Sequence, residues 1–117
     1  MKLTQIRDNF EKQIVKAILN TSVFYKSSYR LPNISVISIP NVMNESLIFR
    51  LNEKNIFPFF NNKTTNPITN ILINQKVDSF IANCSLSFCF DKNDDIESIV
   101  KIIKEESENL LSLSKDL

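Results

Sequence analysis

The sequence predicts an α/β fold of the two-layer α+β kind, a small sheet with helices packed mainly on one face. Apolar residues recur at helical spacing near both ends of the chain, and two short segments between them, 34–39 and 85–90, carry strand patterns. Amphipathic helices of this kind need a sheet to cover, which joins the two observations into one architecture. At 117 residues the chain fits a single domain, 1–117, with no internal repeat and no dividing linker.

Leu3, Ile6, Phe10, Ile14 and Ile18 form one stripe, with Arg7, Glu11, Lys12 and Lys16 on the other faces, so Leu3 to Leu19 reads as an amphipathic helix. Asn20-Thr21-Ser22 ends it, because short polar side chains compete for backbone hydrogen bonds. Ser27 to Asn33 is a turn-rich approach to Ile34–Ile39, a β-branched run stopped by Pro40. Apolar residues on both faces of that run place it centrally in the sheet. Asn44 is expected to cap a helix through Leu47, Ile48 and Leu51 to about Lys54, with Asn55 as its left-handed C-cap. Ile56 to Phe60 reads as an edge strand because it contains Pro58. Asn61 to Gln75 is loop plus a short helical turn, and Phe80 to Ala82 starts another extended piece. Ser85 to Phe90 alternates Leu86, Phe88 and Phe90 against Ser85, Ser87 and Cys89. Asp94 and Glu97 fit a capping box, after which Ile96, Ile99, Val100 and Ile103 continue one face toward Leu110, with Leu111 to Leu117 fraying.

Composition excludes several classes. Fourteen basic against thirteen acidic residues give a formal charge of +1, which lacks the basic field a nucleic-acid partner needs. No apolar run approaches the roughly 18 residues that span a bilayer, and the first residues lack a signal-peptide core, so a soluble, cytoplasmic protein is expected. Two cysteines, Cys84 and Cys89, are too few for a disulfide scaffold and agree with a reducing compartment. There is no histidine, the commonest general base and metal ligand near neutral pH. Glycine is also absent, where an average chain of this length has about eight.

With Arg30-Leu31-Pro32-Asn33 as its recognisable motif, the chain resembles the C-terminal small domain of class V aminotransferase-type, pyridoxal-phosphate-dependent cysteine desulfurases. The resemblance runs from about Ile6 to Leu113 in six ordered pieces. A helix leads into Arg-Leu-Pro-Asn and then a strand like Ile34-Ser35-Val36-Ile37-Ser38-Ile39. A helix with the pattern of Glu45-Ser46-Leu47 comes next, then a short strand and the cysteine loop. A strand beginning Ser-Ile-Arg-Phe and a final helix after an acidic start complete the order. It implies the fold of the C-terminal domain of fold-type I transferases that use pyridoxal phosphate. It also implies a setting in iron–sulfur cluster assembly or tRNA thiolation.

The departures from that pattern bear on chemistry. Carried across without gaps, the family's Gly-Ser-Ala-Cys loop lands on Asn61-Asn62-Lys63-Thr64, which puts Thr64 at the catalytic-cysteine position. A threonine hydroxyl ionises far above neutral pH and has no sulfur to form a persulfide. The family's arginine in Ser-Ile-Arg-Phe grips the substrate carboxylate through two hydrogen bonds, and Ser85-Leu86-Ser87-Phe88 has Ser87 there. Arg30 and Arg50 are the other arginines beyond the first helix, and nothing in the sequence places either at the site. In the resembling enzymes the Schiff-base lysine, ring-stacking histidine and phosphate loop belong to the large domain.

Cys89 is an alternative nucleophile, two positions from Ser87 on the same strand face. The competing reading, a small packing residue, is favoured because no histidine or flanking base lowers its pKa. Cys84, sharing a face with Leu86 and Phe88, reads as core, and the two cysteines lack the further soft ligands of a metal site. Phe57, Phe59 and Phe60 form either an aromatic docking patch or, as favoured, an edge strand with buried rings. Asn33 reads as a residue that turns the chain into the strand, and Lys101, Lys104, Glu105, Glu106 and Glu108 as a solvated helix face. The expected function is that of a degenerate desulfurase small domain, non-catalytic alone and binding no cofactor or metal itself. Its expected partner is a separate pyridoxal-phosphate-binding large domain or a sulfur-acceptor or scaffold protein. The alternative is one piece of a split desulfurase.

Overall fold

The computed structural model describes residues 2–24, 32–58 and 78–115. Its elements run α1 (Leu3–Ala17), β1 (Ser22–Phe24), β2 (Ile34–Ser38), α2 (Asn44–Glu53), α3 (Ser79–Ala82), β3 (Ser85–Cys89) and α4 (Ile96–Lys115). The strands form an antiparallel sheet in the order β1-β2-β3, with Val23 opposite Ile37 and Ile37 opposite Leu86. β2 is central, and its residues are buried on both faces, Val36 on one and Ile37 on the other, as its apolar pattern requires.

One sheet face carries Ile37, Ile39, Leu86, Phe88 and Phe90. These pack into a single core with Ile6, Phe10 and Ile14 of α1, Leu47, Ile48 and Leu51 of α2, and Ile96, Val100 and Ile103 of α4. The three long helices therefore cover that face. Phe10 is the pin between α1 and β3: its ring centroid lies 5.3 Å from that of Phe88 and 4.6 Å from that of Phe90, both tilted. Such ring pairs contribute about 0.5–1.5 kcal/mol beyond their burial. The opposite face presents Ser38 and Ser85, whose hydroxyls both donate to the Ile81 carbonyl of α3, at 3.0 and 2.9 Å. The short helix thus caps one corner of the back of the sheet.

The structure corrects several expectations. The segment at 80–82 is helical, because the Asp78 carboxylate accepts from Phe80 N (2.8 Å) and caps a single turn. Residues 56–58 are irregular where a strand is expected, and 59–60 lie outside the described residues. α4 runs to Lys115 instead of fraying from Leu111, since Leu110 and Leu111 still pack against the core. Its cap is Asp95, whose carboxylate accepts from Ser98 N and Ser98 Oγ, while Asp94 closes the preceding turn by accepting from Asp91 N (2.7 Å). Strand β1 is an addition, too short to show a period.

Asn44 is not a cap. α2 starts at Asn44 behind Met43, which supplies no side-chain cap. The Asn44 amide instead turns inward and its Nδ2 donates to the Ser85 carbonyl at 3.0 Å, while its backbone N donates to Asn83 O at 2.9 Å. At 3% exposure it ties the start of α2 to β3. Glu11, expected on a solvent face, is also 3% exposed, because Ser35 Oγ on the sheet donates to its Oε2 at 2.6 Å. A buried carboxylate is tolerable only with such a partner.

Among the described residues three have positive φ, namely Asn20 (67°), Asn41 (65°) and Asn55 (64°). These are positions that favour glycine, and asparagine is the side chain that tolerates them best. At Asn55 the fit is complete: Ile56 N donates to Leu51 O and Asn55 N to Asn52 O, the paired bonds of a Schellman ending.

Candidate functional site

β3 carries the two described positions singled out for chemistry. Alternation puts Leu86 and Phe88 in the core and turns Ser87 and Cys89 to the back of the sheet, where Ser87 sits opposite Val36 and Cys89 opposite Ile34. Ser87 is 4% exposed, held within the sheet. Cys89, at the strand end, is exposed. Asn33 closes the sheet there: Phe90 N donates to Asn33 O (2.9 Å), and Asn33 Nδ2 donates to Phe90 O (3.3 Å) and Cys89 Sγ (3.2 Å). Its turn role is therefore seen directly.

The Schellman ending of α2 throws residues 55–57 back across this end of β3, toward the start of α4. Between them lies an open groove of about 460 Å³, with Phe57, Phe90, Ile99 and Ile102 among its apolar lining and Asp91, Asp94 and Asp95 among its polar lining. Cys89 lines it too. Phe57 is 68% exposed, which overturns the expectation of a buried ring: with no strand at 56–58, nothing turns it inward. Phe57 and Cys89, read separately in the sequence, thus share one groove. Sequence reasoning missed the groove because its walls lie more than thirty residues apart along the chain; the acidic run 91–97 was its one visible trace.

The other candidates divide. Arg50 is taken up structurally, its Nε donating to Glu106 Oε1 at 2.8 Å between α2 and α4, which also removes Glu106 from the solvated face. Cys84 is buried as expected. Burial pushes its thiol above the ordinary value of 9.0, with backbone N–H groups of Val42 and Asn41 working in the opposite direction. Thr64, Arg30, Phe59 and Phe60, and the helical turn expected within 61–75, lie outside the described residues. Among the described residues no group of three metal-ligating side chains occurs, and no helix is long and apolar enough to cross a membrane. The groove does not fit pyridoxal phosphate. Its described lining has three carboxylates and no lysine or arginine, which would repel the phosphate and offer no amine for a Schiff base.

This arrangement of sheet and helices is a fold that recurs as one segment of two solved NifS-like proteins. A NifS-like protein from Rickettsia africae ESF-5 superimposes with a TM-score of 0.69 at 20% identity, covering 94% of this chain and 28% of that one. A second NifS-like protein gives 0.68 at 19% identity, covering 92% and 27%. The chain thus spans little more than a quarter of the length of these structures. No known family profile matches the sequence, and no curated protein sequence matches it.

Proposed function

We propose that this chain is a non-catalytic binding domain built on the small-domain fold of a cysteine desulfurase, serving sulfur transfer or iron–sulfur cluster assembly through a protein partner. The observation that carries the reading is the state of β3. By the resemblance, Ser87 takes the place of the family's carboxylate-gripping arginine, and its side chain is buried in the sheet. Arg50, another arginine of the chain, pairs with Glu106 instead. Thr64, which the resemblance carried across without gaps puts at the catalytic-cysteine position, supports the same reading. The groove beside Cys89 presents carboxylates to any amino-acid substrate, and like charges disfavour its carboxylate there. What remains is an exposed aromatic residue in a concave surface, the kind of feature that partner proteins use.

A second reading, one piece of a split desulfurase, is favoured by coverage. The chain matches 94% of itself but only 28% of the NifS-like structure, so a separate large domain holding pyridoxal phosphate would complete that fold. One experiment separates the two. The purified chain, given cysteine and pyridoxal phosphate, should release no sulfide. The tagged chain, recovered from its own cells, should elute without a cysteine-responsive cofactor band. A co-eluting large polypeptide with such a band would replace the first reading by the second.

A further inference from the structure

The described lining of the groove at the end of β3 is acidic, although the exposed Lys54 and Lys92 flank it in sequence. Its described lining carries Asp91, Asp94 and Asp95 and no cation, although the chain as a whole has a charge of +1. Not all of that charge is consumed by local structure. Asp95 uses both oxygens on Ser98 as the cap of α4. Asp91 and Asp94 each accept from one turn amide, Lys92 N at 2.6 Å and Asp91 N at 2.7 Å, through a single oxygen. Their second oxygens have no hydrogen bond among the described residues, and both residues are exposed. The lining also includes the apolar Phe57, Ile99 and Ile102, and about 460 Å³ accommodates one or two side chains but not a globular surface.

We propose that this groove docks a cationic segment of a partner protein, an apolar side chain seated on Phe57 and a neighbouring lysine or arginine reaching Asp91 and Asp94. The proposal rests on the reading of the chain as a binding domain and specifies its partner by charge complementarity. The apolar lining supplies most of the affinity, while the carboxylates select the sign, an effect weakened by salt as the screening length falls from about 10 Å at 0.1 M to about 3 Å at 1 M. A membrane surface does not suit the site, because anionic headgroups would meet the same carboxylates.

The test uses three labelled hexapeptides, alternating leucine with lysine, with glutamate or with serine, titrated into the full chain and followed by anisotropy and amide chemical shifts. The lysine peptide should move the amides of Phe57, Phe90 and Ile99 and bind tighter than the other two. Asp91→Asn, which keeps the oxygen that accepts from Lys92 N, should weaken it about 1.5- to 5-fold, the range of an exposed ion pair. Phe57→Ala, at an exposed position, should weaken it about tenfold, as the loss of most of one seated apolar side chain requires. Equal binding of the glutamate or serine peptide at the groove overturns the charge preference while leaving the binding-domain reading in place. Shifts confined to other surfaces, or none with any peptide, overturn the docking site itself. The binding-domain reading fails by a different signal, the cysteine-responsive cofactor band.

Discussion

Replacing Asn44 discriminates sharply between two roles for one side chain. As a helix cap, asparagine is matched by aspartate, and alanine costs roughly 1 kcal/mol. As the tie seen here, Asn44 Nδ2 donates to the Ser85 carbonyl within a site only 3% exposed. Asn44→Ala leaves that carbonyl without this donor, at a cost of roughly 1–3 kcal/mol. Asn44→Asp puts a carboxylate oxygen against a carbonyl oxygen in a desolvated place, so it should cost more than alanine, at about 3 kcal/mol or above. Urea unfolding followed by circular dichroism reads both values, provided the slope is unchanged between variants. In thermal scans each kcal/mol should appear as a drop of about 4 °C for a chain of this size. The order wild type, alanine, aspartate is the expected result. An aspartate variant within about 0.5 kcal/mol of wild type would refute the tie and restore the cap.

Four further outcomes rest on the same geometry. Arg50→Ala should destabilise by roughly 1–3 kcal/mol, the range for a charge-assisted bond, while Arg50→Ala with Glu106→Gln recovers part of the loss; unchanged unfolding midpoints would show that the pair is idle. A thiol reagent should modify Cys89 at once and Cys84 only as fast as the chain opens, and equal rates would contradict the burial of Cys84. Because burial raises the Cys84 thiol above 9.0, the unfolded chain releases that proton first; this component of stability is constant below about pH 9, falls above it, and should vanish in Cys84→Ala. Asn55→Ala should cost about 1–2 kcal/mol for a left-handed residue with a Cβ, whereas Asn55→Gly should hold stability within about 1 kcal/mol, both read from urea midpoints.

Periodic segments were the legible part of this fold. α1, β2, β3 and α4 each run long enough for apolar spacing to declare them, and Ile34–Ser38 revealed its central place through apolar residues on both faces. Elements of three or four residues, β1 and α3, have no period to read; only Asp78 two residues before Phe80 marked the helical turn. Asn44, expected as a cap, and Glu11, expected away from the apolar stripe, both turn inward because a partner from another element, Ser85 or Ser35, satisfies them there. At the site, strand alternation placed Ser87 and Cys89 correctly relative to Leu86 and Phe88. The groove was not legible, because Phe57 and Asp91 become neighbours only once α2 has turned at Asn55 and β3 has joined the sheet.

The asparagines at Asn20, Asn41 and Asn55 also bear on the state this protein leaves when it folds. A chain with no glycine has a stiffer denatured ensemble, because every residue in it carries a Cβ that closes off part of φ/ψ space. Each glycine forgone at a position with ordinary backbone angles removes about 0.4–1 kcal/mol of unfolded-state entropy. Set against the roughly eight glycines usual at this length, the sum is a few kcal/mol, comparable with the whole margin of a small domain. Part of the stability of this fold is therefore invisible among its contacts and belongs to the disorder that its unfolded chain cannot reach.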